Sequence, residues 1–154
     1  MKMNRKIVTL ASFTLAGVLL AFAVVPLVGR VAAIAWPTAY AEWVRASDFP
    51  ELWLLLWSVA VDGLLGFGIA FAVVGIIALK FSVSSRWATL SVLALGFLSG
   101  VYFLVPAYFG QLTLVTSALA GRSWWGYGFE IAMVLSVVAT ALLHSQLMRR
   151  RTGR

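Results

Sequence analysis

The chain of 154 residues contains no cysteine and little charge. The absence of cysteine excludes disulfides, thiolate metal ligands, thiol redox chemistry and S-palmitoylation. Charged residues make up only 11% of the chain, whereas a soluble domain has about 25%. Hydrophobic residues make up 62%, and the mean hydropathy is +0.98. This composition indicates one unit of ordinary domain size that is surrounded by lipid.

Four long apolar segments are each able to cross a bilayer, which requires about 20 mostly apolar residues. They run from Ile7 to Val28, from about Leu52 to Leu79, from Trp87 to about Phe109 and from Trp125 to about Met148. The sequence therefore predicts an all-α polytopic membrane protein, a four-helix transmembrane bundle that forms a single domain over residues 1–154. Because the connections are short, we expect sequential spans to pack antiparallel. The first apolar run of 22 residues exceeds the usual 7–15 or so of a signal peptide, so we interpret it as a retained span rather than a cleaved signal.

Basic residues are concentrated at one end of the predicted spans. Nine of them, and no acid, lie before the first span, between the second and third, and after the fourth: Lys2, Arg5, Lys6, Lys80, Arg86, Arg149, Arg150, Arg151 and Arg154. The positive-inside rule predicts that this end is cytoplasmic. Both termini then lie in the cytoplasm, and the connections at about 29–51 and 110–124 face outward. The basic excess is thus a topology signal, and we expect no nucleic-acid partner.

Tryptophan is concentrated at the predicted outer end. Six of the seven tryptophans lie at or beyond the outer ends of the spans: Trp36, Trp43, Trp53, Trp57, Trp124 and Trp125. Indole rings prefer the headgroup level, so this distribution predicts an aromatic belt. A ligand site lined by the same rings is the alternative interpretation.

The first outer connection carries signals of local helical structure. Tyr40, Trp43 and Val44 share one helical face, which predicts a short helix lying on the outer leaflet. Asp48 and Glu51 have the three-residue spacing of a capping box. We therefore expect Asp48 to be the helix cap that starts the second span.

Two acids fall inside the predicted spans. Asp62 and Glu130 each follow a tryptophan of the belt by five residues, which places both carboxyl groups about 7.5 Å deeper than the belt. Such acids normally face the bundle interior and have a partner, and Arg30 and Arg122 are the candidate partners. In one interpretation the two acids are buried polar contacts, each bonded to an arginine or to the hydroxyl of Tyr102, Tyr108 or Tyr127. In the other they form a carboxylate pair in an outward-facing cavity that binds a proton or a cation.

The two halves of the chain resemble each other weakly. An offset of 80 residues aligns Pro26 with Pro106, and an offset of 68 residues aligns Asp62 with Glu130. Parallel repeats of this kind occur in some transporters, but apolar segments also match by chance. Each proline is expected to kink or end its helix near the outer surface.

Small residues at helical spacing predict close packing of the helices. Gly96 and Gly100 form a GxxxG pair in the third span, and Gly68 with Ala72 forms a second small pair in the second span. We attribute both pairs to packing within the bundle rather than to a dimer, because four helices in one chain already require close contacts.

Few side chains are suited to catalysis. His144 is the only histidine, and it falls at the predicted inner surface, whereas the acids fall toward the outer one. A serine–histidine–acid triad cannot then meet at one depth, and no cluster has the spacing of metal ligands. We expect no enzyme activity, no metal and no cofactor.

Three functions remain open on this basis. We favour a non-enzymatic accessory or assembly subunit of a larger membrane complex, with the lipid bilayer and other membrane protein subunits as its partners. The first alternative is a small proton- or cation-coupled transporter or channel that uses Asp62 and Glu130. The second is a membrane recognition or pore-blocking protein that works through its tryptophan-rich outer face. The size of the chain and its charge pattern suggest the inner membrane of a bacterium.

Overall fold

The computed structural model describes the backbone of residues 2–35, 38–113, 121–122 and 124–152. Within these ranges it describes all side chains except those of residues 2–4, 29, 31–35, 62, 124–125 and 152. Helices take up 91% of the structure, and the described residues contain no strand. The predicted all-α class is confirmed. Four of the helices are long and apolar enough to cross a membrane, as expected of a multi-pass membrane protein.

The described part of the chain gives the bounds of five helices. Helix α1 is Lys2–Ala35, and α2 is the short Thr38–Ala46. Helix α3, Pro50–Phe81, is α-helical at both ends and π-helical over Ser58–Gly68. Helix α4, Arg86–Tyr108, contains a shorter π segment at Gly100–Leu104. Helix α5, Gly128–Thr152, follows a 3₁₀ turn at Trp124–Tyr127. The predicted spans overlap α1, α3, α4 and α5, and α1 extends furthest beyond its predicted end.

Helices α1 and α4 run parallel and approach each other at glycines. A Cβ added to Gly96 would collide with the carbonyl oxygen of Thr14, and one added to Gly17 would collide with the carbonyl oxygen of Leu93. A Cβ added to Gly100 would collide with the Cβ atom of Ala21. Close approach of this kind maximises dispersion contacts, on which helix association in lipid depends because no hydrophobic effect operates there.

Helices α3 and α5 also run parallel, and small residues of the π segment line their contact. Ser58 lies against Gly128, Gly63 against Ala132, and Gly68 against Ser136. The residues on α3 are five apart and their partners on α5 are four apart. This difference is the one expected when a helix with i→i+5 hydrogen bonds packs on a helix with i→i+4 hydrogen bonds.

The expected antiparallel packing of sequential spans is therefore not the closest packing in the bundle. The closest approaches join α1 to α4 and α3 to α5, which are parallel pairs. Small residues explain this preference, because they occur on the facing sides of these pairs. Any two parallel helices of similar length meet at equal heights. The packing therefore does not by itself support the weak internal repeat between the two halves of the chain.

The predicted cap at Asp48 is wrong. Helix α3 begins at Pro50, its N-cap residue is Phe49, and no side chain caps it. Proline is favoured at the first helical position because it has no N–H group to leave unpaired. The helix therefore starts one residue later than a capping box of Asp48 and Glu51 requires.

The two aligned prolines behave differently. Helix α1 continues past Pro26 to Ala35, so this proline does not end its helix. Pro106 is the second residue after the π segment of α4, and α4 ends two residues after this proline. Gly110 adopts a positive φ of 70° there, while Gln111 N–H donates to the Pro106 carbonyl oxygen at 2.7 Å and Gly110 N–H donates to that of Ala107 at 3.1 Å. This is a Schellman end, in which glycine supplies the left-handed residue.

Candidate functional site

Glu130 lies in the first turn of α5, immediately after the 3₁₀ turn. A carboxylate at this position is stabilised by the partial positive charge of the helix N-terminus. Phe129, its neighbour, packs edge-to-face on Phe67 of α3 with the ring centres 4.5 Å apart. This aromatic contact fixes the start of α5 against the bundle and so determines where the Glu130 side chain can reach.

Both carboxylate oxygens of Glu130 accept hydrogen bonds from the same chain. Arg122 Nη2 donates to Oε2 at 2.7 Å. The hydroxyl of Tyr102, from the π segment of α4, donates to Oε1 at 2.5 Å. Arg122 Nη1 also reaches the Tyr102 hydroxyl oxygen at 3.4 Å. The three side chains thus form a closed triad that joins the connection between α4 and α5 to both of these helices.

Aromatic rings surround the guanidinium group of Arg122. Its Cζ atom lies 4.3 Å from the ring centre of Tyr127 and 5.7 Å from that of Tyr102, within the range of cation–π attraction. Gly126 makes room for the arginine stem, because a Cβ there would lie 2.9 Å from Arg122 Cγ. The arginine is thus held by its stem and its charged head.

The triad is partly withdrawn from solvent. The side chain of Arg122 is 13% exposed and that of Glu130 is 30% exposed. Burial alone would lower the pKa of Arg122, but the hydrogen bonds to Glu130 and Tyr102 raise it above its ordinary value. The arginine therefore remains charged at any physiological pH. Its Nε atom is buried and finds no hydrogen-bond partner among the described residues.

This geometry favours a structural role for the triad over the binding of an ion. A cation at Glu130 would have to displace the Arg122 guanidinium, which would then be left partly buried with its charge unpaired. For Glu130, the observed contacts agree with the interpretation of a buried polar contact, in which an arginine and a tyrosine hydroxyl bond to the carboxylate.

Asp62 and Arg30 are placed differently. The backbone of Asp62 lies in the π segment of α3, one residue before Gly63, and Glu130 lies two residues before the Ala132 that Gly63 contacts. At about 1.5 Å per residue the two acids occupy positions of similar height on adjacent helices. The side chain of Asp62 lies outside the described residues. Arg30 is exposed and forms no ion pair with any described side chain.

Part of the predicted aromatic belt forms a packed cluster. Trp43 lies 4.7 Å from Trp53 between ring centres, Tyr40 lies 4.8 Å from Trp57, and the Tyr40 hydroxyl donates to the Trp53 carbonyl oxygen at 3.1 Å. These contacts hold α2 against the start of α3, and the side chain of Val44 on α2 is buried. Trp36 and the side chains of Trp124 and Trp125 lie outside the described residues.

Several residues that shape the site escaped sequence reasoning. Gly126 is needed by the arginine stem, and Gly63 brings α3 against α5 close to Glu130. Ser58, Gly63 and Gly68 are small residues spaced five apart in the sequence. The predicted packing pairs have the four-residue spacing of an α-helix, so this five-residue pattern was missed. Gly17 with Ala21 has that ordinary spacing and was recognisable in the sequence.

Comparison of the chain with known protein families, curated proteins and solved structures gives no match. The residues of the triad and the surfaces around it therefore carry the functional interpretation by themselves.

Removal of the Tyr102 hydroxyl tests the triad with a matched control. Tyr102→Phe leaves one oxygen of Glu130 without its donor, so we expect the free energy of unfolding to fall by about 1–2 kcal/mol. Tyr108→Phe is the control, because Tyr108 is 75% exposed at the same end of α4 and should change stability by less than about 0.5 kcal/mol. Unfolding of the purified protein in detergent measures both. Equal effects of the two substitutions would contradict the role given to Tyr102.

Proposed function

We propose that the chain is a non-enzymatic integral membrane protein that serves as an accessory or assembly subunit of a larger membrane complex. The observation that carries this proposal is the closed triad, in which both oxygens of Glu130 bond to groups of the same chain. A carboxylate that couples transport or catalyses a reaction must exchange its partners during turnover. Glu130 is instead committed to holding the outer connection on α4 and α5, which favours a stable scaffold.

An apolar furrow between α4 and α5 offers a surface for the partner. The furrow has a volume of about 390 Å³, with Ser91 and Ala94 on one wall, Val134 and Val138 on the other, and Trp87 at one end. Small residues allow another helix backbone to approach closely, and valines have little rotamer freedom to lose when they are covered. A transmembrane helix of a partner protein fits this combination of apolar lining, small residues and stiff side chains.

The proposal places the chain in the inner membrane of a bacterium with both termini in the cytoplasm. Support comes from eight described basic residues that lie at the same end of the four long helices. They are Lys2, Arg5, Lys6, Lys80, Arg86, Arg149, Arg150 and Arg151. In this orientation α2 and the triad lie on the outer side. The furrow lies toward the inner half, because Trp87 is the second residue of α4.

A transporter or channel is the second candidate, and one observation favours it. Asp62 and Glu130 lie at similar heights on helices that touch at Gly63 and Ala132. In this candidate function Asp62 exchanges a proton or a cation while Glu130 stays bound to Arg122. A proton or cation flux through the reconstituted protein that is lost in Asp62→Asn would favour this candidate over the subunit.

Filling the furrow tests the docking of a partner helix. Val134 is 63% exposed on α5, and Val134→Trp places a large ring where the partner helix would lie. Val73→Trp is the control, because Val73 is 55% exposed on α3, away from the furrow. We expect the native mass of the complex extracted from its source membrane to drop to that of the free chain in the first variant only. A complex that survives Val134→Trp, or that is lost equally in both variants, would contradict docking in the furrow.

Single cysteines test the orientation, because the chain has none of its own. Ala46→Cys at the exposed end of α2 should react with a membrane-impermeant maleimide in intact cells. Val83→Cys in the turn between α3 and α4, where Val83 is 42% exposed, should react only after the membrane is permeabilised. The opposite pattern would show that the orientation is reversed.

A further inference from the structure

A second groove lies between α3 and α5, at the end of the bundle opposite the triad. Its volume is about 120 Å³, and it is lined by Ile77 and Lys80 from α3 and by His144, Leu147 and Arg151 from α5, with further apolar side chains. The isoleucine and leucine are exposed on the bundle surface, at 54% and 45%. The groove therefore joins an apolar wall to a rim of basic side chains from two helices.

The rim carries positive charge from both helices. Lys80 lies in the last turn of α3, and Arg151 lies in the last turn of α5. The five acidic residues, Glu42, Asp48, Glu51, Asp62 and Glu130, all lie toward the other end of the bundle. Among the described residues, neither Lys80 nor Arg151 forms an ion pair.

Helix dipoles account for only part of this charge. Each helix C-terminus carries about −0.5 elementary charge, so the ends of α3 and α5 together balance about one of these two basic residues. The other positive charge is available to an anion from outside the chain. A soluble anion would use the basic rim alone, whereas the apolar wall directly below it suits a ligand that is anionic at one end and hydrocarbon at the other.

We infer that this groove binds an anionic phospholipid, with the phosphate against Lys80 and Arg151 and an acyl chain along Ile77 and Leu147. His144 is half-buried between these two parts and is able to donate a hydrogen bond to the ester or phosphate oxygens. Basic pockets between transmembrane helices at the cytoplasmic side are known to bind lipid headgroups of this charge. The inference is independent of the subunit proposal, since it concerns another pair of helices and another ligand.

Lipid binding to the purified full chain tests this inference. We expect phosphatidylglycerol to bind more tightly than phosphatidylcholine, as measured by native mass spectrometry of the detergent-solubilised protein titrated with each lipid. Lys80→Gln with Arg151→Gln should weaken phosphatidylglycerol binding roughly thirty-fold, about five-fold for each charge removed. Arg5→Gln with Lys6→Gln is the matched control, because these exposed residues lie at the same end of the bundle but outside the groove. The control should bind as the unaltered chain does.

Three results would overturn the inference. Equal loss of binding in the control would mean that diffuse surface charge attracts the lipid. Equal affinity for phosphatidylcholine would mean that the basic rim does not select the headgroup. Equal affinity for glycerophosphoglycerol, which has the headgroup without acyl chains, would make the groove a site for soluble phosphate rather than for lipid. If the first double variant does not fold, Ile77→Ser with Leu147→Ser should weaken lipid binding, and unchanged binding would then count against the groove.

Discussion

A carboxylate that is partly withdrawn from solvent needs hydrogen-bond donors from the protein itself. Glu130 meets this requirement with Arg122 and Tyr102, one for each oxygen. These two donors come from different parts of the chain, the connection before α5 and α4. Satisfying one charge therefore fixes the relative positions of α4, α5 and the segment before α5. Loss of Arg122 would leave the partly buried charge of Glu130 unpaired, and loss of the Tyr102 hydroxyl would leave one carboxylate oxygen without its donor.

The packing of the helices depends on a second constraint, which is the size of the side chains where two helices meet. Helices in lipid associate through close contact rather than through removal of water, so the size of the side chains at each contact decides which helices touch. Gly17 and Gly96 bring α1 against α4, and Gly63 brings the π segment of α3 against α5 close to the triad. The bundle is thus two closely packed parallel pairs, which share a core that includes Phe71 and Phe97.

Hydropathy predicted the four long helices from the sequence, because a run of about 20 apolar residues is typical of a membrane-spanning helix. Arg122 was recognised as a possible partner of an intramembrane acid, but sequence alone could not choose between it and Arg30. That choice depends on how the connection between α4 and α5 folds. Gly126 and Tyr127 decide it by making room for the arginine and by covering its guanidinium group. The cap at Asp48 failed because the local preference of a proline outweighed a spacing pattern. The π segments were not predicted, because their contacts repeat every five residues rather than with the four-residue spacing of small residues that indicates α-helix packing.

The central claim is that the ion pair of Arg122 and Glu130 stabilises the bundle. A double-mutant cycle of Arg122→Gln and Glu130→Gln measures the coupling free energy of this pair most directly. Each single substitution leaves a partly buried charge unpaired, so we predict a loss of about 1–3 kcal/mol in the free energy of unfolding. The double variant removes both charges and should lose about 1–2 kcal/mol less than the sum of the two single losses, as contacting residues do. Losses that simply add would contradict the account, because they would mean that the two side chains do not stabilise the bundle as a pair.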